Sequence, residues 1–371
     1  MPSQKNQHYV PRCALKPFTR DQEGKAIHVF NISGQKTIED APVKSQCSRD
    51  YFYGKDLAIE NILKELEGQY ARIVRSIEDG AELNADDVNT LLFFINIQAR
   101  RTARAVHETT TFFNGMAEET FKHHQEQRPP DPSHQEALAA SIMLGIDMQS
   151  HTRDLKFIIL KNQTTSNFII SDNPAVMTNA FSFEKLREST FGIGSAGTII
   201  ALPISPRFCA LLFDIGVYTV SIPAGTRYVK VTDPNDVRAL NELQHLHADR
   251  NIYYATDREA DSIAEQSRRI RGARVPVGGE FTTLIRDKAR KGEAYRRGTV
   301  AEEQKSAESV IMASFNQPKP SIWPSFLKYR SKPVFVDTKS AAGHMRPAIV
   351  AMRAERRSRR SEGTQSSRQK S

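Results

Sequence analysis

Residues Asn6–Arg12 read Asn-Gln-His-Tyr-Val-Pro-Arg. His8 titrates near neutrality, and Arg12, four residues on, carries a fixed cation. Together they suit a phosphate or a carboxylate. The plainer alternative is that Tyr9 and Val10 dock as an edge strand and His8 is an ordinary hydrogen-bonded polar group. A second polar run, Ser171-Asp172-Asn173-Pro174, follows an apolar strand. Pro174 restricts Asn173 to extended backbone. Asp172 could serve there as a base, a metal ligand or the group that orients a histidine. Equally, it could close an Asx turn on its own backbone. Gln98 and Arg101 lie seven residues beyond Leu91 and Phe94, where a core-facing helical stripe should continue. If buried they need partners; otherwise the helix emerges into solvent. Asn241 and Gln244 set amides on the face of a later helix that also carries Val237, Leu240 and Ala248.

Other motifs are weaker. Gly192–Gly197 matches G-x-G-x-x-G, but a polar segment precedes it and β-rich Thr198–Leu202 follows. A dinucleotide fingerprint needs a strand before and a helix after, so no dinucleotide is expected. P-loop, H-E-x-x-H, G-x-S-x-G and C-x-x-C patterns are absent. Cys13, Cys47 and Cys209 are too scattered for a disulfide framework or a paired metal site. His123 and His124 are adjacent and cannot share a helix face, and His134 and His151 lack partners at ligand spacing. A divalent cation therefore has only His8 and Asp172 to recommend it.

The elements that must position these residues predict an α+β fold over residues 1–255. Ala26–Phe30 forms a strand. A helix runs from about Leu57 to Ile77, and a second starts near Asn84. Weaker helical pattern extends from His107 to His151, broken at Arg128–Pro132. From about Arg153 to Val231 alternating strands and turns predict an antiparallel β-meander, including a hairpin of Leu155–Leu160 with Phe168–Ile170. Asp233 caps a closing helix to Ala248, with Pro234 at its first position. The helical N-terminal half packs on this meander. Residues 256–315 read as a helical basic extension, opened by a capping box at Thr256–Glu259, and 316–371 as linker and disordered tail.

The net charge of +9 is uneven. Residues 267–297 carry +7 and 351–371 carry +5, leaving −3 on everything else. That weighs against the body itself as a nucleic-acid cradle. The C-terminal third could contact nucleic acid, with Arg356, Arg357, Arg359 and Arg360 as its densest cations; the alternative is a solvated tail. No run reaches the roughly 18 apolar residues of a membrane helix. The first residues show no secretory apolar region, so a cytoplasmic protein without membrane contact is expected.

Gln7-His8-Tyr9-Val10-Pro11, Gln98 with Arg101, Ser171–Pro174, Pro203-Ile204-Ser205-Pro206 and Asn241 occur in an order that resembles a bacterial domain-of-unknown-function family. Its mark is the N-terminal His-Tyr-Val-Pro motif. The resemblance covers about Gln4 to Ala255 and implies that these positions belong together; it implies no activity. Cys13-Ala14-Leu15 departs from the aromatic that members usually carry after Pro-Arg, which touches packing. Two readings stand. The first is a hydrolase or nuclease-like phosphodiesterase. In it His8 is base or metal ligand, Asp172 orients it or binds metal, and Arg12, Gln98, Arg101, Asn173 and Asn241 hold the substrate. The second is a noncatalytic interaction protein, phage-response or toxin-like. There the same cluster is a structural network and the basic tail contacts nucleic acid.

Overall fold

The computed structural model describes residues 5–187, 191–274, 277–287, 295–315, 317–340 and 342–368. The chain opens with strand β1 (Asn6–His8) and a single helical turn, α1 (Arg12–Leu15). Strands β2 (Ala26–Asn31), β3 (Lys36–Pro42) and β4 (Ser48–Asp50) follow. Four helices come next: α2 (Ala58–Glu78), α3 (Ala85–Gln98), α4 (Ala103–Thr120) and α5 (His134–Thr152). Asn84 caps α3, its side chain accepting from the Asp87 amide at 2.8 Å, and Ser133 with Glu136 closes a capping box on α5.

The central strands are β5 (Lys156–Asn162), β6 (Ile170–Ser171), β7 (Val176–Thr178), β8 (Ile199–Ser205), β9 (Phe208–Phe213), β10 (Tyr218–Thr219) and β11 (Tyr228–Val231). Five of them form one sheet in the order β11-β5-β9-β8-β7, antiparallel except that β11 runs parallel to β5. The α+β class holds. The predicted hairpin does not form: the strand after Lys161–Asn167 leaves this sheet. It pairs instead with β12 (Asn251–Tyr254), making a second sheet β3-β2-β12-β6 that joins the N-terminal hairpin to residues 220 positions later. Short apolar runs fix that a strand exists, and long-range pairing fixes its neighbour.

Every residue of β8 and β9 is buried, which explains their unbroken apolar sequence. One face, with Phe157, Ile159, Leu202 and Leu212, packs on Leu63, Tyr70, Phe94 and the N-terminal run. The other, with Ile158, Leu160, Leu211 and Phe213, packs on Val237, Leu240 and Leu243 of α6 (Pro234–His247). Beyond α6 come α7 (Ala260–Ile270), strands β13 (Glu280–Arg286) and β14 (Tyr295–Arg297), helix α8 (Val300–Lys305) and β15 (Ser309–Ser314). The chain ends with β16 (Lys328–Tyr329), β17 (Val336–Asp337), β18 (His344–Met345) and α9 (Pro347–Arg368). The extension of 256–315 is therefore not simply helical, since β14, β13 and β15 form a three-stranded antiparallel sheet lying on α4.

Part of the segment expected as linker and disorder over 316–371 packs against the body, between residues 317 and 350. Leu327 is buried against the second face of the central sheet, with Trp323, Phe326 and Phe335 beside it. Two acids on the outer face of α6 hold this segment. Asp236 accepts from the Ser325 amide at 2.6 Å and its hydroxyl at 3.1 Å. Glu242, fully buried, accepts from Ser321 and from Arg269. Farther on, Arg346 is 1 % exposed. Its guanidinium donates to Asp154 at 2.7 and 3.2 Å, to the Ile193 carbonyl at 2.7 Å, to Ser195 at 3.1 Å and to His151. The glycine loop is its socket. The Arg346 amide bonds the Gly194 carbonyl, and a Cβ on Gly194 would stand 2.9 Å from Ile349 and Met345. The G-x-G-x-x-G pattern thus receives the C-terminal segment.

Candidate functional site

The N-terminal run is held by its backbone. The β1 strand pairs with β4, and the Tyr9 amide donates to the Cys47 carbonyl at 2.9 Å. Buried Gln7 reaches the aromatic turn, accepting from the Tyr53 amide at 2.6 Å and donating to Gly54 at 2.9 Å. The Tyr53 hydroxyl donates to the His8 carbonyl at 3.1 Å. From the far side, Gln98 donates to the Tyr9 carbonyl at 3.0 Å and accepts from Arg101 Nε at 2.8 Å. Arg101 Nη1 meets Glu67 of α2 at 2.8 Å. Gln98 and Arg101 are both fully buried, so α3 does not emerge into solvent. Its polar end is the buttress of the first strand.

The second polar run builds a separate knot. Asp172 is 2 % exposed and accepts three backbone amides, from Asp249 at 2.7 Å, Arg250 at 2.8 Å and Asn251 at 2.9 Å. Burial pushes its carboxyl up to about 6, the three amides pulling the other way. Asn173 accepts from the Thr102 hydroxyl at 2.8 Å and donates to the His247 carbonyl at 3.0 Å. Ser171 meets Gln244 Oε1 through its amide and hydroxyl, and Gln244 donates to the Pro174 carbonyl. Asn241 accepts from the Ile169 amide at 3.1 Å and donates to the Asn167 carbonyl at 2.8 Å. The α6 amides thus act as a substitute strand, pairing with backbone that β12 does not reach.

The pairing of His8 with Asp172 is therefore corrected: both Asp172 oxygens are engaged by the loop between α6 and β12, and no bond runs to His8. Side chains alternate along a strand, and Tyr9 is the one whose phenol is pushed up by burial and then by Cys47, Asp172 and Asp249. His8 has its pKa lowered by burial, then by Arg12, then more weakly by Arg101. Arg12 is exposed. Asn173 and Asn241 serve backbone groups within the fold. Among the described residues, no group of three His, Cys, Asp or Glu side chains is arranged to hold a metal ion.

Sequence reasoning missed several buried groups around the same knot. His245 is 1 % exposed with neither ring nitrogen partnered. Arg274 donates to the Ala248 and Asp249 carbonyls at 2.6 and 3.2 Å, closing the end of α6. Arg104, at the start of α4, pairs with Glu108 at 2.9 Å. At the C-terminus, Arg353, Arg356 and Arg359 are exposed along α9. Arg356 donates to Ser150 at 3.3 Å. The side chains of Arg357 and Arg360 lie outside the described residues. No described helix is long and apolar enough to cross a membrane.

Neither the curated proteins nor the solved structures yield a match to this chain. A family model does match, over residues 6–258, a span that begins at the first strand and ends just past β12. It takes in both polar knots and leaves the C-terminal segments outside. The chain belongs to the family described as protein of unknown function, DUF4238.

Proposed function

We propose that the protein is a noncatalytic interaction protein that contacts nucleic acid through α9. The observation that carries this reading is the seat of Arg346. A buried arginine saturated by a carboxylate and three carbonyls roots the helix, and beyond it Arg353, Arg356 and Arg359 are exposed. Arginines on an anchored helix lose less freedom on meeting phosphates than arginines on a loose chain. Binding of this kind reads backbone charge, so sequence preference is weak and salt dependence strong.

The test compares the full chain with a chain ending at Val350, which keeps Arg346 and Ile349. Fluorescence anisotropy with short duplex DNA and single-stranded RNA is followed across salt. Removing the helix abolishes salt-sensitive binding on this reading. Replacing Arg353, Arg356 and Arg359 together by Gln lowers the log–log salt slope by about 0.9 for each phosphate that is no longer neutralised. Undiminished binding by the shortened chain would refute it. A hydrolase or nuclease-like reading based on His8 lacks its orienting carboxylate. Nuclease assays with divalent cations are expected to give the same result for His8→Ala and the parent chain.

A further inference from the structure

The three-stranded sheet on α4 has two edges, and they differ. On one side β14 is three residues long, and two of them are arginines. The Thr283 amide, which β14 does not reach, donates to Glu119 of α4 at 2.7 Å. Short strands, charges and covering groups are how proteins keep a sheet edge from pairing. The other edge is β15, Ser-Val-Ile-Met-Ala-Ser, six residues in unbroken register with β13 and without a charge, a proline or a bulge. Among the described residues no other strand pairs with it. The phase of the ladder says which groups this edge presents. The Arg286 amide donates to the carbonyl of Glu308, the residue across from it. Bonded and non-bonded pairs alternate in an antiparallel ladder. Residues 310, 312 and 314 therefore bond β13, and the amides and carbonyls of Ser309, Ile311 and Ala313 point away from it. Side chains alternate in the same way. Phe281, opposite Ala313, packs on Gly115 of α4, so Val310 and Met312 stand beside Leu284 on the face turned from that helix. They are 39 % and 40 % exposed.

We propose that β15 is the interface of a symmetric homodimer, in which two copies of the strand pair antiparallel about Ile311 and join their sheets into one. Three observations select a second copy of this chain as the occupant. First, the free groups are spaced evenly about Ile311. Ile311 then meets Ile311, and Ser309 meets Ala313, of the other copy, so two identical edges can exchange all their outward amides and carbonyls. Second, this register sets Val310 opposite Met312 of the other copy on the same face of the joined sheet. The exposed apolar strips of the two copies pack side by side. Third, the charges fit. The strand itself has none. The nearest, Glu308, falls opposite Ser314 of the other copy and is already engaged by Arg286 at 2.7 Å and Tyr295 at 2.8 Å, so no like charges meet. An isologous contact of this kind closes at two copies, because the outer edges of the joined sheet are the short, charged β14 strands. The interface is separate from α9 and from the nucleic-acid reading.

Sedimentation equilibrium of the full chain, freed of nucleic acid, tests this. The parent is expected to show a reversible monomer–dimer equilibrium with a dissociation constant between micromolar and submillimolar, as a small interface gives. Val310→Lys combined with Met312→Lys sets like charges directly across the two-fold axis and should abolish the dimer, as should Val310→Glu combined with Met312→Glu. Mixing the two double variants makes every such pair opposite in sign and should restore it. Ser309→Pro keeps the ladder with β13, because that amide points outward at the first residue of an edge strand. It removes the outward donor at each end of the contact and should weaken association about tenfold. Hydrogen exchange locates the contact: residues 309–313 should gain protection as the chain is concentrated. Circular dichroism checks the fold of each variant, and Ser309→Pro decides should the charged variants not fold. A parent chain that stays monomeric at submillimolar concentration or grows beyond the dimer would overturn the proposal. So would a folded double variant that dimerises like the parent, a mixture that stays monomeric, undiminished association in Ser309→Pro, or exchange at 309–313 that is independent of concentration.

Discussion

Replacing Arg346 by Met should release the root of α9 while leaving the body folded. The guanidinium engages Asp154 twice and three carbonyls besides. Methionine fills much of the same volume but offers no donor. It strands the Asp154 carboxylate, whose side chain is 23 % exposed, and three acceptors. Breaking a buried pair by removing one partner costs about 3–5 kcal/mol. Partial exposure of Asp154 puts this case near the lower end, about 3 kcal/mol. That corresponds to an opening equilibrium about a hundredfold larger. The cost falls on the docking of residues 343–350, because the two main sheets do not depend on this segment. Hydrogen exchange followed by mass spectrometry reads it directly: the Arg346 amide, bonded to Gly194, and the Ala196 amide, bonded to His344, should exchange about a hundredfold faster. Gly194→Ala attacks the same seat by sterics, since the new methyl meets Ile349 and Met345 at 2.9 Å. It should open the same amides by about 1–3 kcal/mol. Unchanged exchange over 343–350 in Arg346→Met would show that the seat is not what holds α9, and the functional reading built on it would fail too.

Further predictions concern the second knot. Asn173→Ala removes one acceptor for Thr102 and one donor for His247, and should lower stability by about 2–3 kcal/mol in urea denaturation; a loss under about 0.5 kcal/mol would mean solvent replaces both bonds. Burial raises the folded pKa of Asp172 to about 6, so the folded state keeps this proton after the unfolded chain has lost it. Stability from this group therefore falls as pH rises from about 4 to about 6, by about 3 kcal/mol, and Asp172→Asn should remove that fall; an identical pH profile for parent and variant would disprove it. For His245 burial, then Arg274, lowers the folded pKa to about 3. Its sign is opposite: stability is lost as pH falls below about 6.5. His245→Leu should flatten that decline and, because neither ring nitrogen has a partner, change stability at pH 7 by no more than about 1 kcal/mol. His247, also lowered to about 3, by burial and then Arg104, leaves a residual slope of the same sign. A large loss at pH 7 in His245→Leu would point to a partner for the ring.

Local signals were legible where local physics decides. Asn84, Asp233 and Thr256 mark helix starts because a short polar side chain satisfies nearby amides. The stripe from Leu63 to Ile77 and the apolar runs of β8 and β9 mark burial. Gln98 and Arg101 announced an anomaly through their place on the α3 stripe, since a buried amide and cation require partners. What those partners are was not legible, because Tyr9 and Glu67 come from distant segments.

The amino-acid sequence by itself determined the α+β class, the helix starts at Asn84, Asp233 and Thr256, and the polar positions that could not be left alone in a core. Tertiary structure alone decided what each polar group serves. Asp172 faces three amides of a loop some 77–79 positions away, so it ties α6 to β12 and does not meet His8. The Gly192–Gly197 loop receives Met345, Arg346 and Ile349, and so residues 344–349 lie folded against the body. The physical reason is common to both cases. Whether a carboxylate or a glycine is a site or a joint depends on which backbone approaches it, and that approach is set by pairings between distant segments that no local pattern encodes.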